Sequence, residues 1–174
     1  MSDAATPVPP SVPAPADAPG PYDYAGFDRH VGLRMVSVTP DEAVATLEVR
    51  PELLQPVGLL HGGVLCTVVE SLGSFAAAVW YGDRGTVVGT SNHTNLLRSA
   101  GVGDRLTARA TPVHRGRTQQ LWSVDVRDER DRLVAKGELR LANLNEDLRT
   151  LFELTKLDTL FNIADSRDEA LQNF

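Results

Sequence analysis

A single acidic residue, Glu70, interrupts a run of apolar and small residues from Val64 to Tyr81 that is typical of a buried helix. Burying a carboxylate without a partner costs free energy, so such a group is paired, protonated or used in chemistry. A carboxylate can attack an electrophilic carbon as a nucleophile, or it can take a proton from water as a general base. Glu70 is therefore a candidate catalytic residue. The alternative is a structural partner for an arginine or a backbone amide.

The predicted helix is preceded by His61-Gly62-Gly63, a sharp turn that contains two glycines. The first N–H groups of a helix lack internal partners, and the positive end of the helix dipole lies beside them. Because glycine has no side chain, these N–H groups remain open to a ligand. They can stabilise the negative charge that develops on a carbonyl oxygen under attack. The alternative is that both glycines only make the turn.

Two further polar residues have spacings that suit the same chemistry. Ser74 lies four residues after Glu70, hence on the same helix face, where its hydroxyl can bind the carboxylate or an attacking water. The Gln55 amide can orient the substrate. Gly62 and Glu70, however, lie about 12 Å apart along a helix axis. One carbonyl carbon cannot contact both in the same chain, so a site that uses both requires two subunits with neighbouring helices.

The elements that must position these residues follow from periodicity and turn residues. Alternating apolar and polar residues predict two strands, a loop at Pro51–Leu60 leads into a helix at Gly62–Tyr81, and four further strands follow. The six predicted strands are Gly32–Val38, Ala43–Arg50, Thr86–Leu97, Arg105–His114, Gln119–Arg127 and Leu133–Ala142. We expect an α+β fold in which a mainly antiparallel sheet curves around one long helix and the last four strands form a meander.

Composition indicates one domain in residues 22–145 with two flanking segments. Residues 1–21 hold seven of the eleven prolines and are expected to be disordered. The excess negative charge lies in the flanks, so no basic stripe indicates nucleic-acid binding. Cys66, the single cysteine, excludes a disulfide framework. With no secretory signal, and with Glu70 inside the apolar run, we expect a cytoplasmic protein that does not span a membrane.

Residues 23–143 resemble hotdog-fold acyl-CoA thioesterases, specifically the phenylacetic-acid-pathway-like group and the related 4-hydroxybenzoyl-CoA thioesterases. The order and spacing of several short motifs carry the resemblance. They are His61-Gly62-Gly63 with Glu70, Val87-Val88-Gly89-Thr90, Asn95-Leu96-Leu97-Arg98, Gly103-Asp104, His114-Arg115-Gly116-Arg117-Thr118 and Val134-Ala135-Lys136-Gly137. The resemblance implies a hotdog fold, homodimers that pair into tetramers, and hydrolysis of an acyl-CoA to a carboxylic acid and coenzyme A.

The resemblance also implies roles for individual residues. The Gly62 amide would polarise the thioester carbonyl, and Glu70 of the other subunit would be the nucleophile or general base. Ser74 would help to hold the attacking water, and Gln55 with Glu70 matches the hydroxybenzoyl-CoA branch of the family. His61 would shape the turn without acting as a base.

Coenzyme A contacts are implied at Arg115, Gly116, Arg117 and Thr118, with Arg98 nearby, because guanidinium groups suit phosphates. The alternative is that the two arginines of this turn are simply solvated. No cluster of residues has metal-ligand spacing, and no cofactor is implied beyond the coenzyme A of the substrate.

Residues 146–174 resemble the C-terminal end of a STAS domain, an anti-sigma-factor antagonist module, through Leu151-Phe152-Glu153-Leu154 and Asp165-Ser166. Most of that domain is missing, so an appendage or a fusion remnant is expected instead of a working switch.

The main alternative to a thioesterase is a non-catalytic acyl-CoA sensor. A hotdog hydratase is a weaker alternative. The sequence does not identify the acyl group. It also does not decide whether that group is carried by coenzyme A or by a carrier protein.

Overall fold

The computed structural model of the protein describes residues 26–144, so the predictions for residues 1–21 and 146–174 lie outside the described residues. Within this range a short helix α1 and strands β1 and β2 precede the long helix α2, and strands β3 to β6 follow it. Their bounds are α1 Phe27–Val31, β1 Arg34–Val38, β2 Ala43–Glu48, α2 Gly62–Tyr81, β3 Thr86–Leu96, β4 Arg105–Arg115, β5 Gln119–Asp128 and β6 Leu133–Leu144, with 3-10 turns at Pro51–Leu53 and Gly82–Arg84.

The bounds of α2 are those that the sequence predicts, and each predicted strand is present within two residues of its expected ends. The sequence analysis missed α1. This short helix ends at Gly32, whose positive φ of 84° favours glycine. Its Asp28 accepts a hydrogen bond of 2.5 Å from the Ser71 hydroxyl, which fastens α1 to α2.

All six strands form one antiparallel sheet in the order β1-β2-β4-β5-β6-β3, which confirms the α+β hotdog architecture. The expectation that β3 to β6 form a meander is wrong. Only β4, β5 and β6 are neighbours in chain order, whereas β3 pairs with β6 from Thr86↔Leu144 to Leu96↔Ala135. Since β4 pairs with β2 on one side and β5 on the other, it leaves no edge for β3, which therefore becomes an edge of the sheet.

Helix α2 packs across the concave face of the sheet through its largest apolar side chains. Leu72 and Val69 are fully buried, and burying such a side chain contributes about 1.5–3 kcal/mol. Glycines at two contacts allow the close approach. A methyl group at Gly73 would lie 2.7 Å from Leu139 Cδ2, and one at Gly137 would lie 2.5 Å from Val69 Cγ2. The core lies between this helix face and the sheet.

The opposite side of α2 is not covered by the rest of the described chain, contrary to the expectation of a helix packed on all sides. Cys66, Glu70 and Ser74 are half-buried, and Ala78 is exposed. Segment 62–84 is long and apolar enough to cross a bilayer by length and composition, with 39% of the relevant window buried. Its packing against the sheet is that of a core helix with one face left open.

Candidate active site

The loop that carries Gln55 folds back on itself and leads through His61 into α2. An isolated bridge pairs Leu54 with Leu60 and closes the loop, and the Gln55 N–H donates to Leu59 O at 2.8 Å. Gly58, with φ of 80°, makes the turn at its tip. The His61 N–H donates to Leu53 O at 2.9 Å, so the start of α2 is fixed to the loop that carries Gln55.

His61 is the N-cap of α2, a role that fits its expected function of shaping the turn. Its Nδ1 accepts a hydrogen bond of 2.9 Å from the Gly63 N–H, and the side chain is exposed. The Gly63 N–H is therefore satisfied. Within residues 26–144 the N–H of Gly62, the first residue of the helix, has no acceptor. Of the two glycine amides, that of Gly62 is available to a carbonyl oxygen.

One face of α2 runs along the edge strand β3. An ideal methyl group on Gly62 would meet Leu96 Cδ1 at 2.5 Å, so the helix start lies against the end of this strand. One turn later, the Cys66 carbonyl accepts a hydrogen bond of 3.0 Å from Asn92 Nδ2. Another turn later, the Glu70 carboxylate reaches the same amide. Helix and strand are therefore aligned over two helical turns.

Glu70 has a partner that the sequence analysis did not identify. Its Oε2 accepts a hydrogen bond of 3.0 Å from Asn92 Nδ2, and Asn92 Oδ1 accepts one of 2.8 Å from the Thr94 hydroxyl. Gly89 provides the space for the carboxylate, since a methyl group there would overlap Glu70 Oε1. The carboxylate is half-buried rather than enclosed within the single chain. Among residues 26–144 its hydrogen-bond partner is a side-chain amide, not an arginine or a backbone amide.

The remaining predicted groups around Glu70 are placed nearby but are not joined to it. Ser74 lies one turn later on the same helix face. In the part of the chain that the structure describes, the Ser74 hydroxyl makes no hydrogen bond to the carboxylate. Gly62 and Glu70 lie at the start and in the middle of one continuous helix. Their separation along its axis is about 12 Å, so one chain does not bring them to one carbonyl carbon.

The turn between β4 and β5 carries the residues expected to contact coenzyme A, and its two arginines differ. The Arg115 guanidinium donates to Pro40 O and to Asp41 Oδ1, both at 2.8 Å, and lies 5.4 Å from the centre of the Trp80 ring. Arg115 is thus engaged within its own chain. Arg117 and Thr118 are exposed, as is Arg98 near the end of β3. Arg117 is the better placed of the two arginines to bind a phosphate.

A buried polar network holds this turn. Asn143 of β6 donates from Nδ2 to Gly116 O at 2.9 Å and accepts from Gln120 Nε2 at 2.7 Å. Gln120 Oε1 in turn accepts from Trp122 Nε1 at 2.9 Å. Gln120 and Asn143 are 1% and 5% exposed, so their hydrogen bonds are needed to offset the cost of burial. The turn is consequently a rigid support rather than a loose loop.

Sequence reasoning missed Asn92, Gly89 and Asn143. The available signal was the polar run from Thr90 to Asn95, which is unusual in the middle of a strand and marks a strand with a function beyond the core. His93 and His114 are exposed on β3 and β4. Among the described residues no three His, Cys, Asp or Glu side chains form a group that could hold a metal ion.

Comparison with known proteins agrees with the hotdog fold and with a thioester-cleaving class of enzyme. The family model described as the thioesterase superfamily matches residues 57–135. The 1,4-dihydroxy-2-naphthoyl-CoA hydrolase of Escherichia coli is 35% identical over 112 residues, which cover 64% of this chain and 82% of that enzyme. The chain belongs to the thioesterase superfamily and is a thioester hydrolase.

Two solved structures extend this result. AziG of S. sahachiroi, known from a crystal structure, is 55% identical in sequence to this chain, with a TM-score of 0.67. The match covers 74% of this chain and 99% of AziG. A mutant of the phenylacetic acid degradation protein PaaI from Thermus thermophilus is 32% identical, with a TM-score of 0.63. The match covers 68% of this chain and 98% of the PaaI chain. The likeness to the phenylacetic-acid-pathway group is confirmed. The resemblance of residues 146–174 to a STAS domain finds no support.

Proposed function

We propose that the protein is an acyl-CoA thioesterase that hydrolyses its substrate to a free carboxylic acid and coenzyme A. The observation that carries this proposal is the Glu70 carboxylate, held by Asn92 on the open face of the helix that begins with the Gly62 amide. A relative that is named for hydrolysis of a coenzyme A thioester supports the choice of coenzyme A over a carrier protein.

The reaction follows from the chemistry of these two groups. The Gly62 N–H donates to the thioester oxygen and stabilises the negative charge that develops there. Glu70 either attacks the carbonyl carbon itself or takes a proton from a water that attacks it. On either route a carbon–oxygen bond forms, the carbon–sulfur bond breaks and the departing coenzyme A thiolate takes up a proton. Where water attacks, Glu70 passes on the proton that it removed from that water and the acid is released directly. Where Glu70 attacks, a water molecule then hydrolyses the glutamyl anhydride, which releases the acid and restores the carboxylate. Gln55 orients the acyl group, Ser74 helps to hold the water, and no cofactor takes part.

We propose that each site combines Gly62 of one subunit with Glu70 of the other. The separation of about 12 Å between the two within one helix supports this arrangement. The fold supplies a surface for a second copy, since β3 is an edge strand with unpaired backbone groups. Val88, Leu96 and Leu97 are 45%, 55% and 56% exposed along it. Pairing through β3 places two α2 helices side by side, and such dimers then pair into tetramers.

The coenzyme A phosphates are assigned to the β4–β5 turn and its surroundings. Arg117 and Arg98 are exposed cations, and Gly116 and Thr118 suit the narrow pantetheine arm. Arg115 supports the turn through Asp41 and Trp80.

Because the chain has one cysteine, half-buried and free, we also propose the reducing cytoplasm as its compartment.

The test is release of free thiol from short-chain, long-chain, phenylacetyl and hydroxybenzoyl coenzyme A by the full chain. Wild type, Glu70→Ala and Glu70→Gln would be measured side by side, with circular dichroism to confirm that each variant is folded. We expect turnover that falls by about 10²–10⁴-fold in both variants. A Glu70→Gln variant with the wild-type kcat would overturn the assignment. Intact acyl-CoA bound tightly by a wild type that does not cleave it would indicate a sensor instead.

A further inference from the structure

Asn92 uses both of its N–H donors and accepts one hydrogen bond on the side of β3 that meets α2. A primary amide has two N–H donors and a carbonyl oxygen with two lone pairs. Its Nδ2 donates to Glu70 Oε2 and to the Cys66 carbonyl, both at 3.0 Å, and its Oδ1 accepts from the Thr94 hydroxyl at 2.8 Å. A flipped amide would place its oxygen against two acceptors. The three partners therefore fix one orientation, in which a donor points at the carboxylate.

The two acceptors of this amide belong to a single helical turn. Cys66 and Glu70 are four residues apart, so the carbonyl of one and the side chain of the other lie on the same side of α2. Asn92 bridges them, which restricts rotation of the Glu70 side chain about its flexible bonds. Ordering a glutamate side chain costs conformational entropy. The bridge provides this ordering before any substrate binds.

We propose that Asn92 is a positioning residue that holds the Glu70 carboxylate in its reactive orientation, with Thr94 holding Asn92. This inference rests on the proposed function of Glu70. Thr94 is two residues after Asn92 on β3, so both side chains lie on the strand face that meets α2. The relay passes from the Thr94 hydroxyl through the Asn92 amide to one carboxylate oxygen. Glu70 Oε1, which faces Gly89, is not bound by Asn92.

Packing within the single chain does not explain Asn92, because this residue is exposed there; the proposed pairing through β3 would bring a second copy to the same strand. A role in orientation predicts an effect on kcat that depends on Glu70. We expect Asn92→Ala to lower kcat about 10- to 100-fold with KM within about twofold, since a small misplacement of a catalytic group has effects of this size. Asn92→Asp should lose more activity, because it replaces the donor with a second carboxylate facing Glu70.

The closing experiment is a double-mutant cycle with matched variants at Thr94, using thiol release by the full chain. We expect Asn92→Ala to have no further effect on kcat when it is combined with Glu70→Gln. Thr94→Val, which removes the hydroxyl, should lower kcat as Asn92→Ala does. Thr94→Ser, which keeps the hydroxyl, should retain wild-type kcat. Equal fold losses from Asn92→Ala in both backgrounds would overturn the inference.

The two proposals fail in different ways. An active Glu70→Gln variant, or a wild type without thiol release, overturns the proposed function and this inference with it. An inactive Glu70→Gln variant beside a fully active Asn92→Ala variant overturns the positioning role alone. Thermal unfolding and the oligomeric state of Asn92→Ala are the stability controls, because Asn92 lies on the strand that is proposed to pair in the dimer. A variant that keeps the wild-type oligomeric state and melting temperature separates positioning from assembly.

Discussion

The amide of Asn92 on β3 donates a hydrogen bond of 3.0 Å to the carboxylate of Glu70 on α2, so the edge strand and the core helix meet at the residue with the clearest chemical role. Three residues earlier on the same strand, Gly89 leaves the space that the other carboxylate oxygen occupies. The strand thus provides both a hydrogen bond and the space for one catalytic group. Changes at this contact, at the helix start and at the β4–β5 turn should each affect a different measurable quantity.

Gly89→Ala should disturb catalysis without disturbing the fold. A methyl group at Gly89 overlaps Glu70 Oε1, so the carboxylate must move away from β3 and weaken its bond to Asn92. We expect kcat to fall about 10- to 100-fold, as is usual for a displaced catalytic group. Gly101→Ala is the matched control, since a methyl group there meets nothing within 4 Å. Equal activity of the two variants in the thiol-release assay would contradict the prediction.

Gly62→Pro should remove the proposed oxyanion donor while keeping the helix. Proline is well tolerated at the first position of a helix, and the preceding His61 has φ −67° and ψ 130°, which proline accepts. We expect kcat to fall about 10²–10³-fold, the usual effect of losing one such donor. Gly62→Ala keeps the N–H and introduces the same contact with Leu96, so it serves as the control. If both variants lose activity equally, the contact and not the N–H is responsible.

Hybrid dimers test whether the site is shared. Chains carrying Gly62→Pro and chains carrying Glu70→Ala would be co-expressed with different affinity tags, and dimers retaining both tags would be purified. If each site takes Gly62 and Glu70 from different subunits, one of the two sites in a twofold dimer is intact, and about half of the wild-type activity returns. Two homodimers of the single variants are the controls. Hybrid dimers as inactive as these would show that each site lies within one chain.

Arg117→Ala and Arg115→Ala should affect different quantities. Arg117 is exposed, and its loss should raise KM for acyl-CoA several-fold while leaving the melting temperature unchanged. Arg115 is tied to Asp41 and Pro40 and covers Trp80, so its loss should lower the free energy of unfolding by about 1 kcal/mol. Activity at several ionic strengths and thermal unfolding would be measured for both. An unchanged KM in Arg117→Ala would remove this turn from the coenzyme A site.

The sequence by itself predicted the long helix and all six strands, though not α1, and it indicated the main chemical candidates. The run of apolar and small residues between Gly62 and Gly82, interrupted by a charge only at Glu70, set the bounds of α2, because helix-breaking glycines act locally. The spacing of Gly62 and Glu70 likewise predicts that a site using both groups needs two subunits, because the rise per residue of a helix is fixed. These inferences needed nothing beyond neighbours along the chain.

Only the tertiary structure decided which strands are neighbours and what holds the carboxylate. The position of β3 beside β6, rather than beside β4, depends on pairing between segments that are far apart in sequence. The Asn92–Glu70 bond joins residues 22 positions apart, and no local spacing encodes it. Strand alternation determines which face a side chain occupies, but the partner it meets across that face is set by how helix and sheet pack together.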